Sequence, residues 1–446
     1  MLSNGRLSRV RQMRAARTAA LVVAAWWGRP CVAQAGAGHV DERVTSIDTA
    51  QHFALYLPPR YTTGRRWPIL LVLDPRGRAL LGLQLFRDAA ARLGWIVMSS
   101  YNTLSDGPLP EPNAAAVNAM LASAQARWSI DTSRLYLAGF SGTARAALAF
   151  AVALRGHVAG VLAAGGALGF TLGGPETAFA GDSTFAYFGA AGTRDFNYEE
   201  VLAMAGRFQR TRVPYRVVTF AGPHSWPPPD VCGDALDWLE LRAMLGGLRP
   251  MDSSWARARL EVEQARAAEL ERAGHWVEAL RLDDGIARDY ARWPEAGAAA
   301  GRAAALRRSR AVTRYEAEAR RLAERDLQQG LALPGLFAWA RSQRDPPPLE
   351  SLVTKLGIAA LQQTVERGDS VAAASARRQL ARLWVNLAFY EPRAYLATGS
   401  PDRALRMLEA GASIGPIEGE ACALLRQALT AASAARPARL VGECAS

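Results

Sequence analysis

Short apolar runs alternate with amphipathic stretches from about residue 50 to residue 245. The runs Ile69–Leu73, Trp95–Met98, Leu135–Leu137, Gly160–Ala163, Phe185–Phe188 and Tyr215–Phe220 read as strands, and several are apolar enough to be buried on both faces. Between them, Leu81–Leu93, Ala114–Trp128, Thr143–Leu154, Tyr198–Arg210 and Ala235–Met244 carry helical spacing. Strands and helices taken in turn predict an α/β region with a mostly parallel, doubly wound sheet and helices on both faces.

The strand signal stops beyond Pro250. Residues 251–435 are rich in Ala, Leu, Arg and Glu at helical spacing, which predicts an all-α region. Three segments echo one another: Gly274–Ala279, Gly368–Ala373 and Gly399–Ala404. In each, a glycine ends one helix and an alanine five residues on lies inside the next. In the third, Pro416 follows, which resembles the tetratricopeptide helix-turn-helix repeat. An irregular helical bundle is the alternative, and Pro346–Pro348 marks a linker or a repeat boundary. The expected organisation is an α/β domain over 36–249 and a helical domain over 250–446.

Composition changes this picture at the N-terminus. The chain has 446 residues and a formal charge of +12, with Lys355 its only lysine. Arg6, Arg9, Arg11, Arg14 and Arg17 precede an apolar run over 18–28, and Ala33-Gln34-Ala35 follows as a small-residue cleavage signal. This predicts a secretory signal peptide over 1–35; its apolar run falls short of the roughly 20 residues a membrane span needs. Removing 1–35 takes away six arginines and no acids, so the mature charge falls to about +6. With the remaining bases interspersed among acids, no nucleic-acid partner and no integral membrane span is expected. Cys31 lacks the small and apolar residues that precede a lipidated cysteine. Of the cysteines left after cleavage, Cys422 and Cys444 form a bridge or stay, with Cys232, as unpaired thiols.

Candidate chemistry centres on Gly139-Phe140-Ser141-Gly142, a serine between glycines after a strand-like run and before a helix-like one. A tight strand-to-helix turn exposes the hydroxyl and aims the next amide at a developing oxyanion. The pattern departs from the usual pentapeptide at Thr143, a β-branched residue where helix and strand approach closely. A serine hydroxyl needs a histidine to take its proton and an acid to orient that histidine. Among His39, His52, His157, His224 and His275, only His224 follows a strand in a glycine- and proline-rich loop. Asp195 ends the run from Phe185 and precedes the helix at Tyr198, whereas its rival Asp182 falls on the amino side of that strand. Ser141 is therefore the expected nucleophile, His224 the general base and Asp195 the orienting acid, in the chain order of α/β-hydrolases.

Residues 53–245 resemble that family, in the style of the esterases grouped with dienelactone hydrolases, phospholipase/carboxylesterases and polyhydroxybutyrate depolymerases. The matching pieces are Leu71–Pro75, the serine turn, Gly189–Asp195 and Ala221–Trp226. The resemblance implies a small-molecule or polymeric ester substrate, no cofactor and no metal. It also implies an oxyanion hole made by the Gly142 amide and one amide of the turn Asp74–Arg78, with Arg76 first, Gly77 next and Pro75 excluded for want of an amide proton. Asn102 ends a strand on the same side, with loop capping as its expected role, and Trp226 either walls an acyl pocket or packs on the prolines. A second reading is an inactive hydrolase-fold scaffold whose helical repeats bind a protein or peptide partner.

Overall fold

The computed structural model describes residues 36–105, 112–167, 185–432, 440 and 444, all within one compact unit spanning Ala35–Ser446. The predicted signal peptide and the rival acid Asp182 lie outside the described residues. Among the described residues eight strands build one sheet: β1 (Val40–Thr45), β2 (His52–Tyr56), β3 (Trp67–Leu73), β4 (Ile96–Ser100), β5 (Ile130–Phe140), β6 (Gly160–Ala164), β7 (Ala186–Gly192) and β8 (Tyr215–Phe220). Their order is β1-β2-β4-β3-β5-β6-β7-β8, and every pair is parallel except those made by β2. The mostly parallel α/β sheet expected from the alternating pattern is the sheet observed.

All seven residues of β3 are buried, which is why its sequence is apolar without alternation. Ile69, Leu71 and Leu73 face one core and Leu70 and Val72 the other. The helices sort accordingly. α1 (Ala79–Gln84), α2 (Arg87–Leu93) and α6 (Pro229–Leu245) cover one face. α3 (Asn113–Arg127), α4 (Gly142–Ala153) and α5 (Tyr198–Phe208) cover the other. The single helix expected over 81–93 is two, broken at Leu85 and Phe86, and Phe86 is buried in the core. β1 and β2 escaped the strand pattern because β1 is an edge strand with the charged Asp41-Glu42-Arg43 along it and β2 has only five residues.

The helical region comprises α7 (Ser253–Arg272), α8 (Trp276–Asp289), α9 (Gly297–Arg308), α10 (Arg310–Ser342), α11 (Leu349–Lys355), α12 (Ile358–Glu366), α13 (Val371–Val385), α14 (Glu391–Ala397), α15 (Pro401–Ala412) and α16 (Glu420–Ala431). Each echo segment is a helical hairpin. Gly274, Gly368 and Gly399 take left-handed φ of +80°, +102° and +69° between α7 and α8, α12 and α13, and α14 and α15. Ala279, Ala373 and Ala404 are the fully buried residues that let the second helix of each hairpin pack closely. Between α13 and α14 a π-helical turn, Asn386–Tyr390, is closed by the Glu391 amide donating to Asn386 O. Pro392 follows it and has no amide to continue an α-helical ladder there. Cys422 and Cys444 form a disulfide, and Cys232 is free and buried.

Buried charge joins the helical region to the sheet. Arg216 on β8 donates to Glu263 of α7 (2.6 Å) and Asp289 at the end of α8 (2.7 Å), and Trp238 of α6 donates its indole N–H to the same Asp289 oxygen (2.8 Å). All three charged groups are buried.

Candidate active site

Ser141 stands at the end of β5 and opens α4, with φ 56° and ψ −124°. Among the described residues it shares positive φ with only one other non-glycine, Cys444. Such a conformation costs about 1–3 kcal/mol and persists only where the surroundings enforce it. Here the Ser141 amide donates to Ala164 O on β6 (2.8 Å), and glycine makes the tight approach possible. A Cβ on Gly139 would lie 2.3 Å from the carbonyl oxygen of Thr143.

Thr143 does not crowd this approach, because the close contact falls on its backbone. Its side chain is buried and fully used: the hydroxyl shares its proton between Leu73 O (2.5 Å) and Phe140 O (2.8 Å) and accepts from the Phe140 amide (3.1 Å). Threonine therefore ties the serine turn to the end of β3.

His224 and Asp195 meet the serine from adjoining loops. His224 Nε2 lies 2.9 Å from Ser141 Oγ, and His224 Nδ1 lies 2.8 Å from Asp195 Oδ1. A carboxylate beside Nδ1 keeps the ring proton there, which leaves Nε2 to accept from the serine hydroxyl. Asp195 is fully buried after β7, and the Asn197 amide donates to the same Oδ1 (2.7 Å). The imidazole packs against the rings of Phe140 and Phe196, with centroids 4.6 and 4.1 Å away.

Asp74 organises the turn after β3. Its buried carboxylate accepts from the amides of Arg76 (2.9 Å) and Arg78 (3.1 Å), from the Arg78 guanidinium and from the Trp226 indole N–H (2.8 Å). Burial alone would raise its pKa, but the hydrogen bonds from Arg78, Trp226 and the two amides outweigh it and hold the carboxyl below its ordinary value. Trp226 thus anchors the loop of His224 to the turn of Asp74, besides packing against Phe140 and Phe86.

The Arg76 amide, assigned by resemblance to the oxyanion hole, is committed to Asp74 Oδ1, and the Gly77 amide donates to Asp74 O (3.2 Å). The Arg76 side chain turns outward to an ion pair with Glu420 (2.8 Å). The Gly142 amide opens α4, where the first amides have no partner within the helix. Asn102 caps a loop, accepting from the His52 amide (2.8 Å).

A cavity of about 290 Å³ opens at Ser141, lined also by Ser105, Gly142, Arg145, Phe196, Asn197 and Tyr390. Sequence reasoning missed five of these. Phe196 and Asn197 directly follow Asp195, and Ser105 follows β4 on the carboxyl side of the sheet, so position along the strands could have found them. Tyr390 belongs to the π-helical turn and carried no such signal. The helical region also grips the loop of Asp195: Arg382 of α13 donates to Phe196 O (2.7 Å) while paired with Asp326, and Arg378 of the same helix pairs with Glu199 (2.9 Å).

No family model matches the chain, and no curated protein does. The chain is similar to solved structures of other proteins. One is an S-formylglutathione hydrolase from Staphylococcus aureus, at 14% identity over 45% of this chain and 99% of that one, with a TM-score of 0.38. Another is a feruloyl esterase module from Clostridium thermocellum, complexed with sinapinate, at 14% identity over 44% and 86%, TM-score 0.38. A third is an S-formylglutathione hydrolase from Agrobacterium tumefaciens, at 16% over 46% and 94%, TM-score 0.35.

Proposed function

We propose that this protein is a serine hydrolase that cleaves carboxylic esters through an acyl-serine intermediate. The observation that carries the proposal is the unbroken chain from Ser141 Oγ to His224 Nε2 and from His224 Nδ1 to Asp195, at 2.9 and 2.8 Å, on a serine held in a strained turn. Ser141 Oγ attacks the ester carbonyl as His224 takes its proton; the developing oxyanion faces the Gly142 amide. His224 then gives the proton to the leaving alkoxide, and water repeats the sequence on the acyl-enzyme. Asp195 orients the imidazole and stabilises its cation. The cavity of about 290 Å³ at Ser141 lies just below the usual range of ligand-pocket volumes, roughly 300–1,000 Å³.

The proposal extends to organisation and location: a hydrolase domain over 36–249, a tetratricopeptide-like domain over 250–446, and export with the leader removed near Ala35. The hairpins at Gly274, Gly368 and Gly399 support the second element, and the Cys422–Cys444 bridge supports an oxidising compartment. A fluorophosphonate probe tests the chemistry. Labelling of the parent that disappears in Ser141→Ala is expected, together with loss of p-nitrophenyl ester hydrolysis by about 10⁴-fold or more in His224→Ala. Undiminished turnover in His224→Ala would remove the base from the mechanism.

A further inference from the structure

A tetrahedral oxyanion in a water-poor pocket needs preorganised donors, and a single helix-terminal amide leaves half of the usual pair unfilled. The turn after β3 does not supply the other half. Pro75 has no amide proton; Arg76 and Arg78 donate theirs to Asp74 Oδ1, and Gly77 donates to Asp74 O. The Arg76 and Arg78 bonds end on a buried carboxylate that also holds Trp226 of the His224 loop, so freeing either amide would weaken that support.

Ser105 lies beside this site. It lines the cavity beside Ser141 and Gly142. A Cβ built on Gly142 would lie 2.1 Å from Ser105 Oγ and 2.9 Å from Ser105 O, so the hydroxyl occupies the space a side chain after the nucleophile would take. Glycine at 142 and serine at 105 are thus one packing solution. The backbone carrying Ser105 is fixed on two sides. Its amide donates to Pro75 O (2.9 Å), and both polar groups of the Leu104 backbone are bonded to the Asn113 side chain at the start of α3 (2.9 Å each). Among the described residues the Ser105 hydroxyl has no hydrogen-bond partner of its own, in contrast to the committed hydroxyl of Thr143.

We propose that Ser105 Oγ–H is the second oxyanion donor, acting with the Gly142 amide, a role that rests on Ser141 being an acyl-transfer nucleophile. As Ser141 Oγ bonds to the carbonyl carbon, the C=O π pair moves onto the oxygen, and Ser105 and Gly142 donate hydrogen bonds to it. The Ser141 proton goes to His224 Nε2; Ser105 keeps its own. When the intermediate collapses, C=O re-forms, the C–O bond to the leaving group breaks, and His224 protonates the alkoxide. A hydroxyl rotor here lets the site use serine where the neighbouring turn has spent its amides on structure.

The test is steady-state hydrolysis of p-nitrophenyl acetate by the full chain, compared with Ser105→Ala and Ser105→Thr. The expected result is a fall in kcat of about a hundredfold or more in Ser105→Ala with KM changed by less than about threefold, because the bond exists only in the transition state. Ser105→Thr, which keeps the hydroxyl, is expected to recover most of the rate, as a merely space-filling role would not require. An active parent with Ser105→Ala within about threefold of its kcat overturns the Ser105 assignment alone. A parent that neither turns over the ester nor loses fluorophosphonate labelling on Ser141→Ala overturns the hydrolase reading, and Ser105's role with it.

Discussion

Asp74 shows how much one buried side chain can organise. In the sequence it is one residue of a turn, yet it accepts from two amides, a guanidinium and an indole, and so holds the turn after β3 to the loop of His224. Its pKa is depressed in the fold, so its stabilising contribution is present above the ordinary carboxylate value and is lost as pH falls through the lower folded value. Asp74→Asn should therefore be less stable than the parent at neutral pH, and the gap should narrow as pH drops below about 4, where the unfolded carboxylate protonates. Urea unfolding at several pH values checks this; a gap independent of pH would show that charge is not what holds the turn. Thr143 teaches a related lesson. Its side chain is branched where helix and strand approach closely, but a hydroxyl in that place spans Leu73 O and the Phe140 backbone, which glycine could not do.

At the scale of elements, the links that matter join helices distant in sequence to the loop of Asp195. Helix α13 presses Arg378 and Arg382 onto the segment that carries Asp195, and Arg382 also neutralises the buried Asp326 of α10. Breaking a buried pair by removing one partner typically costs about 3–5 kcal/mol, since the remaining charge has no water. Arg382→Met is expected to lower stability by roughly that amount and to lower kcat as well, because the Asp195 loop loses the donor to Phe196 O. Denaturant midpoints and ester turnover measured together check both parts. Full turnover in a destabilised Arg382→Met protein would mean that the acid loop holds itself. Helical periodicity disclosed α13 as an element but not its target, since an arginine on a helix looks the same whether it meets water or a carbonyl.

For the whole molecule, the helical region shares its interior with the α/β part. Arg216 leaves the sheet to enter buried ion pairs with α7 and α8, Leu241 of α6 packs with Leu260 and Ile286, and Tyr390 reaches the cavity at Ser141. A chain ending at Pro250 would expose Leu241, each buried leucine of this kind contributing about 1.5–3 kcal/mol, and would strip one wall from the cavity. Such a truncated protein is expected to unfold at lower urea concentration than the full chain and to lose turnover. An unchanged midpoint would show that the α/β part is self-sufficient.

The sequence by itself determined what rests on local periodicity and on the order of residues along the chain. Apolar runs with helices between them specified the parallel sheet, left-handed glycines marked the hairpins, and a serine, an aspartate and a histidine at strand ends foretold which side chains converge, because parallel strands deliver their carboxyl ends to one crevice. Tertiary structure alone decided which amides remain available, which cysteines pair, and what walls the pocket. Those depend on distances between segments far apart in the chain: Asp74 consuming the turn's amides, Ser105 filling the space beside Gly142, and Tyr390 arriving from a helix that no pattern near the serine announces. A hydrogen-bond donor's availability is a property of its neighbours in space, and one-dimensional spacing does not carry it.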